Sequence, residues 1–277
     1  MGQKANKTTL QINKHSFNAL TSNSRSFIKF FNFIKFFNFL LLKKNVLIVK
    51  KSINFDSSYL YLNLFLFYKS IKSSFYKRKY LVKSLKTSDF INFKNPRLKN
   101  LLINCFKNFN FSSLILNIKN INIDLNKKIV VFFYQKLKKF MNNIFIRRFN
   151  LFIDFIKISS LYVQGLVSIQ SFLYLFSLIF KSLSKKIHSR FLFFIKYLFK
   201  LMVFDLKLLN IKNTLNILGM KFSINGKLKG KPRSSTNFIK EGNLPLQSFN
   251  KEIDFAKIHS YTLMGAFGLK LWVLKKN

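Results

Sequence analysis

From Gly219 onward, apolar and polar residues alternate. Met220, Phe222 and Ile224 face one way and Lys221, Ser223 and Asn225 the other, so the segment reads as a half-buried strand ended by Asn225-Gly226. A second strand is expected through Thr236–Lys240, with a turn marked by Gly242 and Pro245. Ile258–Met264 and Leu269–Val273 are expected to form a last hairpin around Gly265–Gly268. Upstream the period lengthens. At about 100° per residue, a helix over Lys185–Met202 gathers Lys185, Lys186, Arg190, Lys196 and Lys200 into one arc. Ile187, Phe191, Phe194, Ile195, Leu198 and Met202 then fill the opposite arc. Helices followed by a sheet predict an α+β fold, with an antiparallel or mixed C-terminal sheet packed on helices.

Two other segments have strong patterns. Ile158–Phe180 carries no charge and is long enough to cross a bilayer, yet Gln164, Gln170, Gly165 and five serines dilute it. It reads as a buried or docking helix, and a membrane anchor over 158–180 is the competing reading. Asn120–Tyr134 alternates like a strand around a Lys127-Lys128 turn. The run Phe27–Val49 opens with F-I-K-F-F-N twice in tandem, as low-complexity drift or an amphipathic helix; its lysines are too frequent for a bilayer span. Residues 50–157 otherwise give no defined fold.

Charge narrows the function. With 49 Lys+Arg against 8 Asp+Glu, the 277 residues carry a formal +41. Basic residues are spread along the chain, which points to a wrapping polyanion such as ribosomal RNA. The densest phosphate-binding candidate is the loop Lys227–Arg233, with Lys227, Lys229, Lys231 and Arg233 around a bend set by Gly230 and Pro232. Phenylalanine is abundant, at 37 residues against one Trp. Its company of Asn, Lys and Ile reads as the codon bias of an AT-rich, organellar genome.

Chemistry finds little support. Cys105 is alone, and His15, His188 and His259 form no ligand pair, so no metal site and no cofactor are expected. There is no dinucleotide fingerprint, Walker loop or G-x-S-x-G motif. Glu241, Glu252 and Asp254 are the clustered carboxylates, and in so basic a chain they read as ion-pair partners rather than catalysts. No enzymatic activity and no small-molecule substrate are expected. Gly265-Ala266-Phe267-Gly268 matches the G-x-x-G of KH domains but lies between two strands, where it reads as a hairpin turn. Residues 1–27 are basic and free of acid, as a transit peptide or a native RNA-threading arm.

Four motifs, GMKFSINGKLKG, KEGNLPL, EIDF and MGAFGLKLW, stand in fixed register between Gly219 and Val273. This segment resembles the C-terminal domain of the universal small-subunit ribosomal protein S-three family. There the corresponding patterns are G-I-K-V-x-V-S-G-R-L-x-G, R-E-G-R-V-P-L, D-I-D-Y and Y-G-x-x-G-V-K-V-W. The opening MGQK also matches the family's start, which makes residues 1–13 a native terminus and adds Lys4 to the RNA-binding candidates. Leu183–Tyr197 looks like the family's L-E-R-R-V-x-F-R-R-A-M-K helix, whose basic face lines the channel by which messenger RNA enters. Lys185, Lys186 and Arg190 fall on its basic positions. Phe191 and Phe194 replace two later cations, and Lys196 and Lys200 stand on the same face.

The resemblance implies structural turns at Gly219, Gly226, Gly230, Gly242, Pro245, Gly265 and Gly268. It also implies an N-terminal KH domain of the second type, but no G-x-x-G exists upstream of Gly219, so that region is expected to be divergent. The expected organisation is a basic arm over 1–27, a degenerate KH-like region with insertions over 28–157, and the family's C-terminal domain over 158–277. The expected protein is an organelle-encoded constituent of the small mitochondrial ribosomal subunit. Its partners would be rRNA of the head, messenger RNA and neighbouring ribosomal proteins. The competing function is a basic, membrane-associated organellar protein.

Overall fold

Apolar residues of two neighbouring stretches pair Val46–Phe55 (β1) antiparallel with Tyr59–Tyr68 (β2) in the computed structural model, and Ser113–Asn120 (β3) joins β2 in parallel. The structure describes residues 46–55, 59–69, 113–144, 149–206, 215–248, 251, 253–262 and 265–276. The arm 1–27 with Lys4, the tandem repeat, Cys105, His15 and Glu252 lie outside them. The chain divides into two compact units, which part between Leu125 and Asn126.

The unit before that boundary is the three-stranded sheet in the order β1-β2-β3. Its parallel pair is tied by side chains as well as backbone. Asn117 donates to Asn63 at 2.9 Å, two residues directly opposite in the register. A short 3-10 turn, Ile121–Asp124, follows β3. There Asn122 donates its side-chain amide to the Tyr68 carbonyl at 3.0 Å, and Lys119 pairs with Asp124 at 2.9 Å.

The second unit consists of four helices and a sheet. The helices are Lys127–Ile144 (α1), Phe149–Val163 (α2), Ile169–Lys181 (α3) and His188–Val203 (α4). The strands are Ile217–Gly226 (β4), Ser235–Gly242 (β5), Ile253–Thr262 (β6) and Gly265–Lys275 (β7), antiparallel throughout in the order β5-β4-β7-β6. The expected α+β class, a C-terminal sheet packed on helices, is what the chain adopts.

Phenylalanine fills the layer between helices and sheet. Phe176 of α3 lies against the rings of Phe155, Phe172, Phe191, Phe199 and Phe222, with centroids 5.0–6.4 Å apart. Most of these pairs are edge-to-face, the arrangement that ring quadrupoles favour. Met220, Phe222 and Ile224 of β4 and Phe267, Leu269, Leu271 and Val273 of β7 are buried in the same layer. Small residues let α3 approach β6: the Ser260 hydroxyl donates to the Ser177 carbonyl at 3.4 Å, with both side chains buried.

Three expectations are corrected here. Ile158–Phe180 is two helices, not one. Gly165, at φ +76°, ends α2 with Gly165 N–H bonded to the Tyr162 carbonyl and Leu166 N–H to the Leu161 carbonyl, the pattern of a Schellman cap. Ser168 then caps α3, accepting from Ser171 N–H at 3.3 Å. Burial of the run is as expected, and no helix among the described residues is long and apolar enough to cross a membrane.

Asn120–Tyr134 is not a strand pair around Lys127-Lys128. The lysines open α1, because Ile129, Val130, Phe133, Leu137 and Phe140 recur at helical spacing and are buried together. The last hairpin also turns earlier than expected. Thr262 pairs with Gly265, so Gly265-Ala266-Phe267-Gly268 is the start of β7 and not a turn. Phe267 is wholly buried against Phe180, 4.7 Å away, and pulls the segment into the sheet.

Candidate nucleic-acid interface

The basic loop after β4 is built on a left-handed residue. Leu228 is buried and anchors a 3-10 turn over Leu228–Gly230, in which Lys229 takes φ +57°. That conformation turns the Lys229 N–H toward α4, where it donates to Nδ1 of His188 at 3.2 Å. The imidazole is buried between Phe180, 4.8 Å away, and Phe267, 6.1 Å away. Burial holds its pKa below the ordinary histidine value, and a ring accepting at Nδ1 is the neutral tautomer with its proton on Nε2.

Lys185 and Lys186 do not belong to the helix as expected. They sit in a 3-10 turn, Lys185–Ile187, and α4 begins at His188. The turn brings the Lys185 side chain over Gly230, so that a Cβ on Gly230 would lie 3.1 Å from Lys185 Cδ and 3.5 Å from its Nζ. Sequence-distant cations therefore become one patch: Lys185, Lys186 and Arg190 on one side, and Lys227, Lys229, Lys231 and Arg233 on the other, all exposed. A small cleft of about 80 Å³ lies between them, lined by His188, Ser189, Lys229, Lys231 and Asn237. No acid stands in the first turn of α4. The positive end of the helix dipole is thus reinforced by lysine rather than offset, a combination suited to phosphate.

Lys196 and Lys200 lie further along the exposed side of α4, as does Phe193, which is 62% exposed. Here the structure adds cations that the sequence reading missed. α1 runs beside α4, and Lys139 places its Nζ 4.0 Å from the Tyr197 ring centroid and 5.3 Å from that of Phe140. Phe140 in turn touches Phe193 at 6.1 Å and Tyr197 at 5.4 Å. Lys136, Lys138 and Lys139 extend the basic surface across two helices. The spacing of Ile129, Phe133, Leu137 and Phe140 was the signal for that helix.

The glycines expected as turns divide into two groups. Gly226 and Gly242 end strands and Gly230 closes the 3-10 turn. Gly219 is inside β4, where a Cβ would overlap the Asn243 carbonyl, and Gly265 and Gly268 belong to β7. Pro245 lies in the segment Asn243–Ser248, whose Leu244 and Leu246 pack on Ile253, Leu274, Leu218 and Trp272. Among the carboxylates, Asp254 pairs with Lys275 at 2.5 Å, the ion-pair role expected for it. No group of three or more His, Cys, Asp or Glu able to hold a metal occurs among the described residues.

Fold and surface together define a polycationic α+β domain with its cations converging on one helix start and one loop. Residues 206–273 match the family model described as ribosomal protein S3, C-terminal domain. Over 60 residues, 22% of this chain and 29% of the relative, it is 37% identical to small ribosomal subunit protein uS3c of Cyanidium caldarium. It is 38% identical over 61 residues to uS3 of Endomicrobium trichonymphae, 22% of this chain and 26% of the relative. The figure for uS3 of Coxiella burnetii is 37% over 67 residues, 24% and 30%. The chain thus spans under a third of the length of these relatives. Over residues 206–273 the chain is thus similar to the C-terminal domain of ribosomal protein S3.

Proposed function

We propose that this chain is a structural, RNA-binding constituent of a small ribosomal subunit, encoded and used in a mitochondrion. The observation that carries the reading is the joint between the Lys185–Ile187 turn and the Lys227–Arg233 loop, made by the His188 bond to Lys229. It holds cations from two sequence-distant segments over an apolar core. Such a surface binds phosphate by neutralisation and counterion release, and the sheet behind it fixes the spacing of the charges. In this reading Lys185, Lys186 and Arg190 face messenger RNA where it enters, and Lys196, Lys200 and the α1 lysines meet rRNA of the head. Lys4, at the chain start, adds a further RNA contact. Neighbouring ribosomal proteins of the head are its other partners; no small-molecule substrate, cofactor or catalysis is involved.

We read the unit ending at Leu125 as descended from the family's KH half. In its support, a hairpin is followed by a third strand in parallel, giving a three-stranded mixed sheet. Loss of the G-x-x-G loop there shifts phosphate binding to the C-terminal half.

Sedimentation tests the reading. An epitope-tagged chain in organelle lysate should travel with small-subunit rRNA through a high-salt gradient and should cross-link to that RNA through Lys185 and Lys229. Recovery in the carbonate-resistant membrane pellet, with rRNA left in the gradient, would support the membrane reading instead.

A further inference from the structure

The sheet has a second face, turned away from the helices, and its side chains are ordered in rows. In register across β5, β4, β7 and β6, one row reads Lys240, Lys221, Trp272, Phe255. The next reads Phe238, Ser223, Lys270, Lys257. Each row therefore sets two lysines directly opposite each other on neighbouring strands, and the two pairs sit at diagonal corners with aromatic rings at the other corners.

Opposed like charges destabilise a sheet unless an anion lies over them. Glu241 and Asp254, the described acids of these strands, register with Met220 and Val273, in rows that face the helices. The aromatic rings are equally telling. Phe238 is 67% exposed although it stands mid-strand, Trp272 lies 5.3 Å from Phe255, and Lys221 Nζ sits 5.3 Å from the Phe238 ring and 5.6 Å from that of Trp272. One end of the face is closed, where the Asn243–Ser248 segment lays Leu244 and Leu246 over Ile253 and Leu274. Flat rings interleaved with lysines on strands about 4.8 Å apart complement a chain of stacked bases with its phosphates. A rigid duplex presents no base faces to such rings.

We infer that this open face of the C-terminal sheet binds unpaired RNA, with bases stacking on Phe238 and on the Trp272–Phe255 pair and phosphates meeting Lys240, Lys221, Lys270 and Lys257. The site is separate from the helix-and-loop patch of the proposed function, and the two fail independently. The test compares the full-length chain with its Phe238→Ala and Phe238→Trp variants. The probes are a fluorescent 12-nucleotide oligouridylate and an RNA duplex of the same length. Phe238 is exposed, so its truncation leaves the core intact.

Loss of one stacked base should weaken oligouridylate binding about 5- to 100-fold. Duplex affinity and the salt slope should stay unchanged, and the Phe238→Trp variant should restore binding. Equal losses on both probes, or no loss on either, overturns the inference. So does a Phe238→Ala chain that binds oligouridylate normally but no longer enters subunits, because the face would then dock a protein. Failure of the Lys227, Lys229 and Lys231 variants to affect duplex binding would instead count against the proposed function alone.

Discussion

The backbone N–H of Lys229 donates to Nδ1 of His188 across 41 positions of sequence, and this bond joins the basic loop to the start of the basic helix. The donor is presented by a left-handed residue and the acceptor is held between two phenylalanine rings.

Replacing His188 with phenylalanine keeps the ring packing and removes the acceptor. The expected cost is about 1 kcal/mol, or roughly 2–4 °C in the melting temperature of a chain of this size. Calorimetry of the purified chain reads it. An unchanged midpoint would mean that the loop is held by other contacts.

Acid should loosen the same joint. His188 has its folded-state pKa lowered by burial, so below the ordinary histidine value of about 6.5 the unfolded chain binds more protons than the folded one. Stability is then complete above that value and declines as pH falls through it toward the lowered folded pKa. Protection of the Lys229 amide, its exchange rate taken relative to the intrinsic rate at each pH, should fall on going from neutral to mildly acid solution. The His188→Phe variant should lose this component.

Phosphate binding by the loop predicts a change in salt dependence. Changing Lys227, Lys229 and Lys231 to alanine should flatten the log–log plot of RNA affinity against salt by roughly 0.7–0.9 for each phosphate that is no longer neutralised. Filter binding to an rRNA fragment at several salt concentrations measures the slope. A slope identical to that of the unaltered chain would remove the loop from the interface.

Two glycines next to strand ends should behave differently. Gly242 has φ +75°, and a Cβ there would overlap the Leu218 carbonyl; Gly265 has φ +111° with nothing within 4 Å. Alanine at Gly242 should therefore cost about 3 kcal/mol or more, and at Gly265 about 1–2 kcal/mol, the backbone term alone. Denaturant titration of both variants gives the comparison.

Phe176 and Phe193 make the parallel contrast among the aromatics. Truncating Phe176, at the centre of five rings, should cost about 3–5 kcal/mol, whereas Phe193, exposed on α4, should cost under about 1 kcal/mol. Similar losses at both sites would contradict the packing described.

Much of the C-terminal sheet was legible because glycine and alternation survive there. Met220, Phe222 and Ile224 announced β4 and were found buried. The upstream helices were harder to read, since a chain with 37 phenylalanines places apolar residues on every face. In Ile129–Phe140 the helical period was present but masked by the adjacent Val130-Val131 and Phe132-Phe133 pairs, which also suit a strand. The candidate patch was legible as a set of cations. What the sequence could not show was the left-handed Lys229 that brings two such sets together, nor the cross-strand rows, which need a register that no local pattern fixes.

The break at Gly165 has a consequence beyond the fold. Two helices of 15 and 13 residues reach about 20 Å each at 1.5 Å per residue, short of the ~30 Å hydrocarbon slab. Were the backbone to continue straight, the uncharged run Ile158–Phe180 alone would form a rod of about 35 Å. A single residue without a side chain, in a chain with 37 phenylalanines, separates a packed pair of helices from a membrane-length one.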